Sequence, residues 1–265
     1  MNDAAVLEVQ GVTKRFKGLV AVNRFDMRIR ERTIHSLIGP NGAGKTTLFN
    51  VISGIYRPEE GKVLFCGEDV TGQRPHVLVA KGIARTFQNL RIFPNLTCLE
   101  NVMSGQHCRG RCGIWSSIFR LPRQRAEERR IQEVAETWLA RTGLWRFRNE
   151  RAKNLPFGLR KKLELARALA TEPKLLLLDE PTTGLNDKEK EDIMGFIEKL
   201  PQMGVTVLLV EHNMNVVMGL SERITVMDMG KKIAEGTPTE VYNNPRVIEA
   251  YLGREEAVGN HAAGN

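Results

Sequence analysis

Gly39-Pro40-Asn41-Gly42-Ala43-Gly44-Lys45-Thr46 fits the phosphate-loop spacing G-x-x-x-x-G-K-[ST]. The residue types suit the task. Gly42 and Gly44 let backbone N–H groups converge on phosphate oxygens with no side chain in the way, and a helix opening at Lys45 adds its positive end. Lys45 reaches the β- and γ-phosphates, and the Thr46 hydroxyl is a Mg²⁺ ligand. The second chemical element is Leu175-Leu176-Leu177-Leu178-Asp179-Glu180. Four aliphatic residues bury a strand and deliver two carboxylates at its C-terminal end, where an open α/β sheet places its ligand. Asp179 suits Mg²⁺, held through water, and Glu180 suits the polarising of an attacking water. Together the two elements point to hydrolysis of a nucleoside triphosphate.

The elements that must position these groups are legible in outline. Strands are expected over Val6–Val9, Ala21–Ile29 and Thr33–Ile38, the last running into the glycine loop, with a helix from Lys45 to about Ile55. Pro58 and Gly61 mark a turn into a strand at Lys62–Phe65. Ile131, Val134, Ala135, Trp138, Leu139 and Thr142 recur at helical spacing, so the stretch from Leu96 to about Ala170 reads as a mostly helical insert. Lys174–Asp179 and Val205–Glu211 are short apolar runs of buried parallel-strand type, separated by a polar helix near Asp187–Leu200. Arg223–Asp228 and Lys231–Glu235 read as a hairpin turning at Met229-Gly230.

Composition narrows the field. The 265 residues carry 39 Lys+Arg against 31 Asp+Glu, a formal charge of +8, and 42% are hydrophobic, which excludes disorder over most of the chain. No apolar run approaches the ~18–20 residues of a membrane span, and the N-terminus has no secretory-signal pattern, so a soluble protein is expected. Four cysteines (Cys66, Cys98, Cys108, Cys112) make no disulfide framework at this length. His107, Cys108 and Cys112 are too irregularly spaced for a convincing zinc site. Between Gln106 and Arg151 eleven Arg/Lys face five Glu, a net +6, which is a solvated face or a contact with nucleic acid, anionic lipid or another protein.

Base readout by an Asn-Lys-x-Asp motif is missing, which disfavours a GTPase. Four further segments follow in order: Gln88 in RTFQNL, LPFGLRKKLELARAL, Asp-Glu-Pro-Thr-Thr-Gly-Leu-Asn after the acidic strand, and His212 in LLVEH. With the loop and the acid pair they resemble the ATP-binding-cassette ATPases, over about residues 6–253. The resemblance implies an α/β fold of the P-loop NTPase class: a RecA-like core, an N-terminal antiparallel β subdomain, a helical signature subdomain at about 96–170, and a flexible tail at 254–265. It implies ATP and Mg²⁺ as ligands, with Thr47 joining the loop residues at the nucleotide. Phe16 matches the aromatic that stacks on adenine, its alternative being a strand core residue. Gln88 matches the residue that contacts Mg²⁺ or the attacking water, and His212 the switch histidine on the γ-phosphate. Leu155-Pro156-Phe157-Gly158-Leu159 stands where the signature loop binds the ATP of the opposite subunit, so a second cassette subunit is implied.

Within the family, Asn186 in place of Asp, the stretch EHNMNVVMGLSERITVMDMGKKIAEGTP and the ending VIEAYLG resemble the ATP-binding subunit of branched-chain (hydrophobic) amino-acid importers. The partners then implied are two transmembrane permease subunits and, indirectly, a periplasmic solute-binding protein, with the chain peripheral on the cytoplasmic face of the membrane. No nucleic-acid partner is expected, because the translation type of cassette carries two cassettes per chain and the repair type long heptad arms. Ile92, Phe93 and Leu96 are apolar in a polar loop, which marks a permease contact or packing into the helical lobe. In the insert Ile114, Trp115, Ile118 and Phe119 flanked by Arg109, Arg111, Arg120, Arg123 and Arg125 suggest a contact with permease or lipid, or a helical hairpin closed on itself. The chain departs from its family at Pro156, which has neither hydroxyl nor N–H where the family carries Ser, and at Leu159, which replaces Gln. The helix is expected to start near Leu159.

Overall fold

The computed structural model describes residues 4–88, 90–106 and 122–251, with side chains of the last stretch from 126. In chain order the elements are β1 (Ala5–Phe16), β2 (Leu19–Arg30), β3 (Ile34–Ile38), α1 (Lys45–Ile52), β4 (Glu60–Phe65), β5 (Glu68–Asp69), α2 (Pro75–Lys81), β6 (Ile83–Arg85) and α3 (Cys98–Gln106). There follow α4 (Pro122–Arg141), α5 (Phe157–Ala170), β7 (Leu175–Asp179), α6 (Asp187–Ile197), β8 (Thr206–Val210), α7 (Met214–Leu220), β9 (Arg223–Asp228), β10 (Lys231–Gly236) and α8 (Pro238–Tyr242). The chain divides into two compact units, residues 1–75 with 197–265, and residues 76–196.

The first unit holds an antiparallel sheet in the order β2-β1-β4-β5. Its register puts apolar residues opposite one another: Leu7 faces Ile29 on one side and Phe65 on the other, and Val9 faces Met27 and Val63. All six are buried, so cross-strand packing sets the register. In the same unit β3 runs parallel to both β8 and β9, and β10 pairs antiparallel with β9. Every residue of β3 and β8 is buried, as in the covered strands of a parallel sheet. The hairpin between β9 and β10 turns at Met229 and Gly230, both with positive φ (43° and 78°), the geometry a two-residue turn requires. Ile38, Val217, Ile224, Val226, Val241 and Val247 close the core beneath the phosphate loop.

His35 lies inside that core, 1% exposed, with Nε2 2.7 Å from Thr225 Oγ1. Burial pushes its pKa down from 6.5 to about 4. The unfolded chain therefore binds a proton at His35 before the folded one does, and stability falls as pH drops from about 6.5 towards 4. The full contribution is about 3 kcal/mol. Melting curves between pH 7 and pH 4 are expected to fall less steeply for His35→Gln than for the native chain; parallel curves would show that His35 is not the group responsible.

In the second unit β6 and β7 pair in parallel, Arg85 opposite Leu177, and α3, α4 and α5 pack on one another. The stripe on α4 is inward as its spacing requires: Ile131, Ala135, Trp138 and Leu139 are buried, and the Thr142 hydroxyl donates to the Trp138 carbonyl at 2.8 Å. Gln106 Nε2 donates to the Ala170 carbonyl and ties the end of α3 to the end of α5. Among the described residues no helix is long and apolar enough to cross a membrane.

Several helix ends differ from expectation. α1 stops at Ile52, three residues before Ile55: the Ser53 hydroxyl takes the Phe49 carbonyl at 2.8 Å and Gly54 turns left-handed (φ 74°). α6 stops at Ile197 and gives way to a 3₁₀ turn at Pro201–Met203. The Arg-rich face expected at 109–125 and the trio His107, Cys108 and Cys112 lie outside the described residues or side chains.

Candidate functional site

In the first unit β3 delivers the chain into the loop of residues 39–46. A Cβ on Gly39 would run into the Met227 carbonyl, and one on Gly44 into the Ala21 carbonyl. Gly42 and Gly44 also carry φ of 80° and 107°, which side-chain-bearing residues rarely adopt. The turn is braced by Ala43 N–H donating to Pro40 O (3.1 Å) and Gly230 N–H to Ala43 O (2.8 Å). Gly44 caps α1 without any side-chain hydrogen bond, so the first amides of that helix face outward at its positive end. Lys45 is 6% exposed, and its ammonium donates to the carbonyls of Gly39 (2.6 Å) and Pro40 (2.9 Å). Asn41 and Thr46 are exposed and Thr47 half-buried. A buried ammonium, the positive end of a helix and a bare glycine backbone make a cradle for a phosphate chain.

Phe16 ends β1 at 38% exposure, so it is not a core residue. Tyr56 stands edge-on to it (5.2 Å, 73°), and Lys14 Nζ sits 5.2 Å from its ring centroid. His212 follows β8 and is exposed. Its backbone is fixed, because the buried Glu211 carboxylate accepts its N–H at 3.0 Å and Asn213 caps α7 through the amides of Asn215 and Val216.

In the second unit β7 ends at the acid pair. Asp179 Oδ2 accepts a hydrogen bond from Arg85 Nη2 at 2.9 Å, and both side chains are 9% exposed. β6 runs beside β7 and so brings Arg85 to the carboxylate. Such a pairing holds a buried charge that would be costly alone. Glu180 has φ 48°, a strained value for a residue with a side chain. Its carboxylate Oε2 accepts from Gln88 Nε2 (3.0 Å) and Thr183 Oγ1 (3.1 Å), and its carbonyl accepts from Lys161 Nζ (3.4 Å). The structure thus joins Gln88 to Glu180. Among the described residues no three His, Cys, Asp or Glu side chains could hold a metal by themselves. Mg²⁺ carried by a nucleotide needs only one or two protein oxygens; the Thr46 hydroxyl of the first unit and, separately, the Asp179 carboxylate of the second are each of the hard-oxygen kind it takes.

The signature segment begins at buried Leu155, and α5 starts at Phe157, two residues earlier than expected. Pro156 occupies the cap with extended ψ (156°), and its carbonyl accepts the Arg160 N–H at 3.0 Å. Proline needs no partner for the N–H it lacks, so it is accommodated here and supplies no side-chain cap. Phe157 is 39% exposed and Leu159 half-buried. Gly158 is buried, where a Cβ would meet the Glu189 carboxylate. Asn186 has a local use: its Oδ1 accepts Glu189 N–H (3.0 Å) while Glu189 Oε2 accepts the Asn186 N–H (3.1 Å), a capping box at the head of α6.

Sequence reasoning missed Tyr56, Arg85 and Glu164. The available signals were a charge closing an apolar strand, at Arg85, and a charge within a helix buried on most sides, at Glu164 between Leu163 and Leu165.

Residues 22–183 match the family model described as ABC transporter, and residues 231–257 the model of the branched-chain amino acid ATP-binding cassette transporter. The high-affinity branched-chain amino acid transport ATP-binding protein BraF of Pseudomonas aeruginosa is 44% identical over 249 residues, 94% of this chain and 98% of that protein. LivG of Escherichia coli K12, of the same description, is 42% identical with the same coverage. A nucleotide-free ATP-binding cassette from an ABC transporter superposes with a TM-score of 0.81 at 32% identity, covering 93% of this chain and 98% of that one. A cassette solved in its ADP conformation gives 0.81 at 31%, covering 94% and 99%. The phosphate loop, the acidic strand end and these matches along nearly the whole chain agree, and the chain belongs to the ATP-binding subunits of ABC transporters.

Proposed function

We propose that this chain hydrolyses ATP to drive import of branched-chain or other hydrophobic amino acids. The observation that carries the reading is the cradle of Gly39–Thr46 around buried Lys45, in a chain 42–44% identical to subunits of that transport class. The loop takes the triphosphate, and Phe16 with Tyr56 offers the adenine a ring face. Thr46, Asp179 and Gln88 are the residues that would hold Mg²⁺, and the ion would neutralise phosphate charge. Glu180 accepts the proton of the attacking water. Gln88 fixes the Glu180 carboxylate, and His212 senses the γ-phosphate. Leu155, Pro156, Phe157, Gly158 and Leu159 meet the ATP of a second cassette subunit, and a dimeric bacterial ABC transporter cassette with a TM-score of 0.73 at 29% identity supports such pairing. Two permease subunits anchor the pair at the cytoplasmic face of the membrane, and a periplasmic solute-binding protein supplies the cargo. Expression beside candidate permeases, followed by uptake of labelled leucine and of a charged amino acid as control, tests the cargo: ATP-dependent uptake of leucine alone is expected, and uptake of neither overturns the reading.

Residues 89–96 form the candidate permease contact, and residues 90–96 of it are described. Asn101, fully buried, accepts the Phe93 N–H (2.8 Å) and donates to the carbonyls of Phe93, Leu96 and Thr97, holding the loop rigid from beneath. Above it Phe93 is 50% exposed and Leu96 37%. Phe93→Asp is expected to lower transport about tenfold or more while basal ATPase stays within about twofold, the loss typical of a buried aromatic anchor at an interface. Unchanged transport in the assembled complex would remove this loop from the interface.

A further inference from the structure

Glu164 is a buried carboxylate that none of the steps above uses. It lies two turns into α5 and is 2% exposed. Its Oε1 accepts the Arg91 backbone N–H at 3.2 Å, and the Phe87 backbone N–H acts electrostatically on the same carboxylate. These two amides bracket Gln88. Lys161 and Arg167, also on α5, compensate the charge, while burial pushes the carboxyl pKa up. The Phe87 ring beside Gln88 is held as well, because the guanidiniums of Arg85 and Arg91 lie 5.1 and 4.4 Å from its centroid. A leucine at this helix position would pack without desolvating a charge. What the carboxylate adds is direction, in a hydrogen bond to the Arg91 backbone and an attraction for the Phe87 amide, on either side of one side chain.

We propose that Glu164 is a positioning residue: it ties the backbone at Phe87 and Arg91 to the signature helix and so sets the reach of Gln88 onto Glu180. The inference rests on the reading of Glu180 as the general base. It makes α5 a rigid link. The end of α5 that faces the partner's ATP and the Gln88–Glu180 bond (3.0 Å) belong to one tethered piece, so a shift of the helix is felt at the base.

A double-mutant cycle in the assembled transporter tests this. ATP turnover is measured for Gln88→Ala, Glu164→Ala and the double variant, with KM for ATP and melting temperature recorded for each. Glu164→Ala is expected to lower kcat about 5- to 10-fold with KM within about twofold, and to add less than about twofold once Gln88 is Ala. Glu164→Gln is expected to keep kcat within about threefold, since its amide oxygen still accepts N–H bonds. If Glu164→Ala does not assemble, Glu164→Asp, which keeps the charge and loses the reach, enters the cycle in its place. Multiplying effects of the two single changes, or a Gln variant as damaged as the Ala variant, would overturn the positioning role and leave Glu180 untouched. A Gln88→Ala variant with native kcat would overturn both this inference and the catalytic reading of Gln88.

Discussion

Glu180→Gln is expected to leave ATP binding intact and to lower turnover by about 10²- to 10⁴-fold, the usual loss when a general base is removed. The amide matches the carboxylate in size, and its oxygen can still accept from Gln88 and Thr183, which now stand at 3.0 and 3.1 Å. It cannot accept a proton. The left-handed backbone at Glu180 is unchanged by the substitution, so the strain that aims the side chain remains. ATP-loaded dimers should therefore accumulate, visible as retained nucleotide after gel filtration. Near-native hydrolysis would show that another group is the base. Pro156 adds a direction to the same experiment. It offers a partner's γ-phosphate neither a hydroxyl nor an N–H, a loss of roughly 1.5–3 kcal/mol for one bond to a charged group. If the partner is a different cassette with an unaltered signature, the ATP on this chain's loop is expected to turn over faster than the partner's. Glu180→Gln here should then be more damaging than the equivalent change in the partner.

Lys45→Ala is expected to fail one step earlier. Its ammonium is held inside the loop on the Gly39 and Pro40 carbonyls, so its removal takes away the buried cation and the donor those two oxygens share. The loss of one charge-assisted bond to phosphate alone is roughly 1.5–3 kcal/mol, or about 10- to 150-fold in Kd. Titration with a fluorescent ATP analogue should show this weakening in Lys45→Ala and no weakening in Glu180→Gln. Equal affinities for the two variants would remove Lys45 from the site.

The sequence was most legible where chemistry and local geometry coincide. Glycines at fixed spacing before a lysine needed no tertiary information, because the turn, the helix start and the phosphate cradle are one local object at residues 39–46. The hairpin at Met229-Gly230 and the face of α4 were readable for the same reason, as period and turn residue are short-range properties. Helix ends were less so: the stop of α1 depends on a serine hydroxyl folding back onto Phe49, and the early start of α5 on proline filling a cap. Long-range charged partners were hidden. Arg85 meets Asp179 across a separation of 94 residues, and Glu164 meets the Arg91 amide across 73; no local pattern encodes either. Tyr56 became visible beside Phe16 only through the fold.

ATP-driven uptake into proteoliposomes is the most direct test of the central claim, that turnover at this chain's own loop powers transport of a hydrophobic amino acid. The vesicles would carry the permeases, the partner cassette and this chain, with ATP on the cassette side and labelled leucine with the binding protein on the other. Uptake is expected with the native chain, and at least about tenfold less with either Lys45→Ala or Glu180→Gln in otherwise identical assembled complexes. Native rates of leucine uptake with both variants would contradict it.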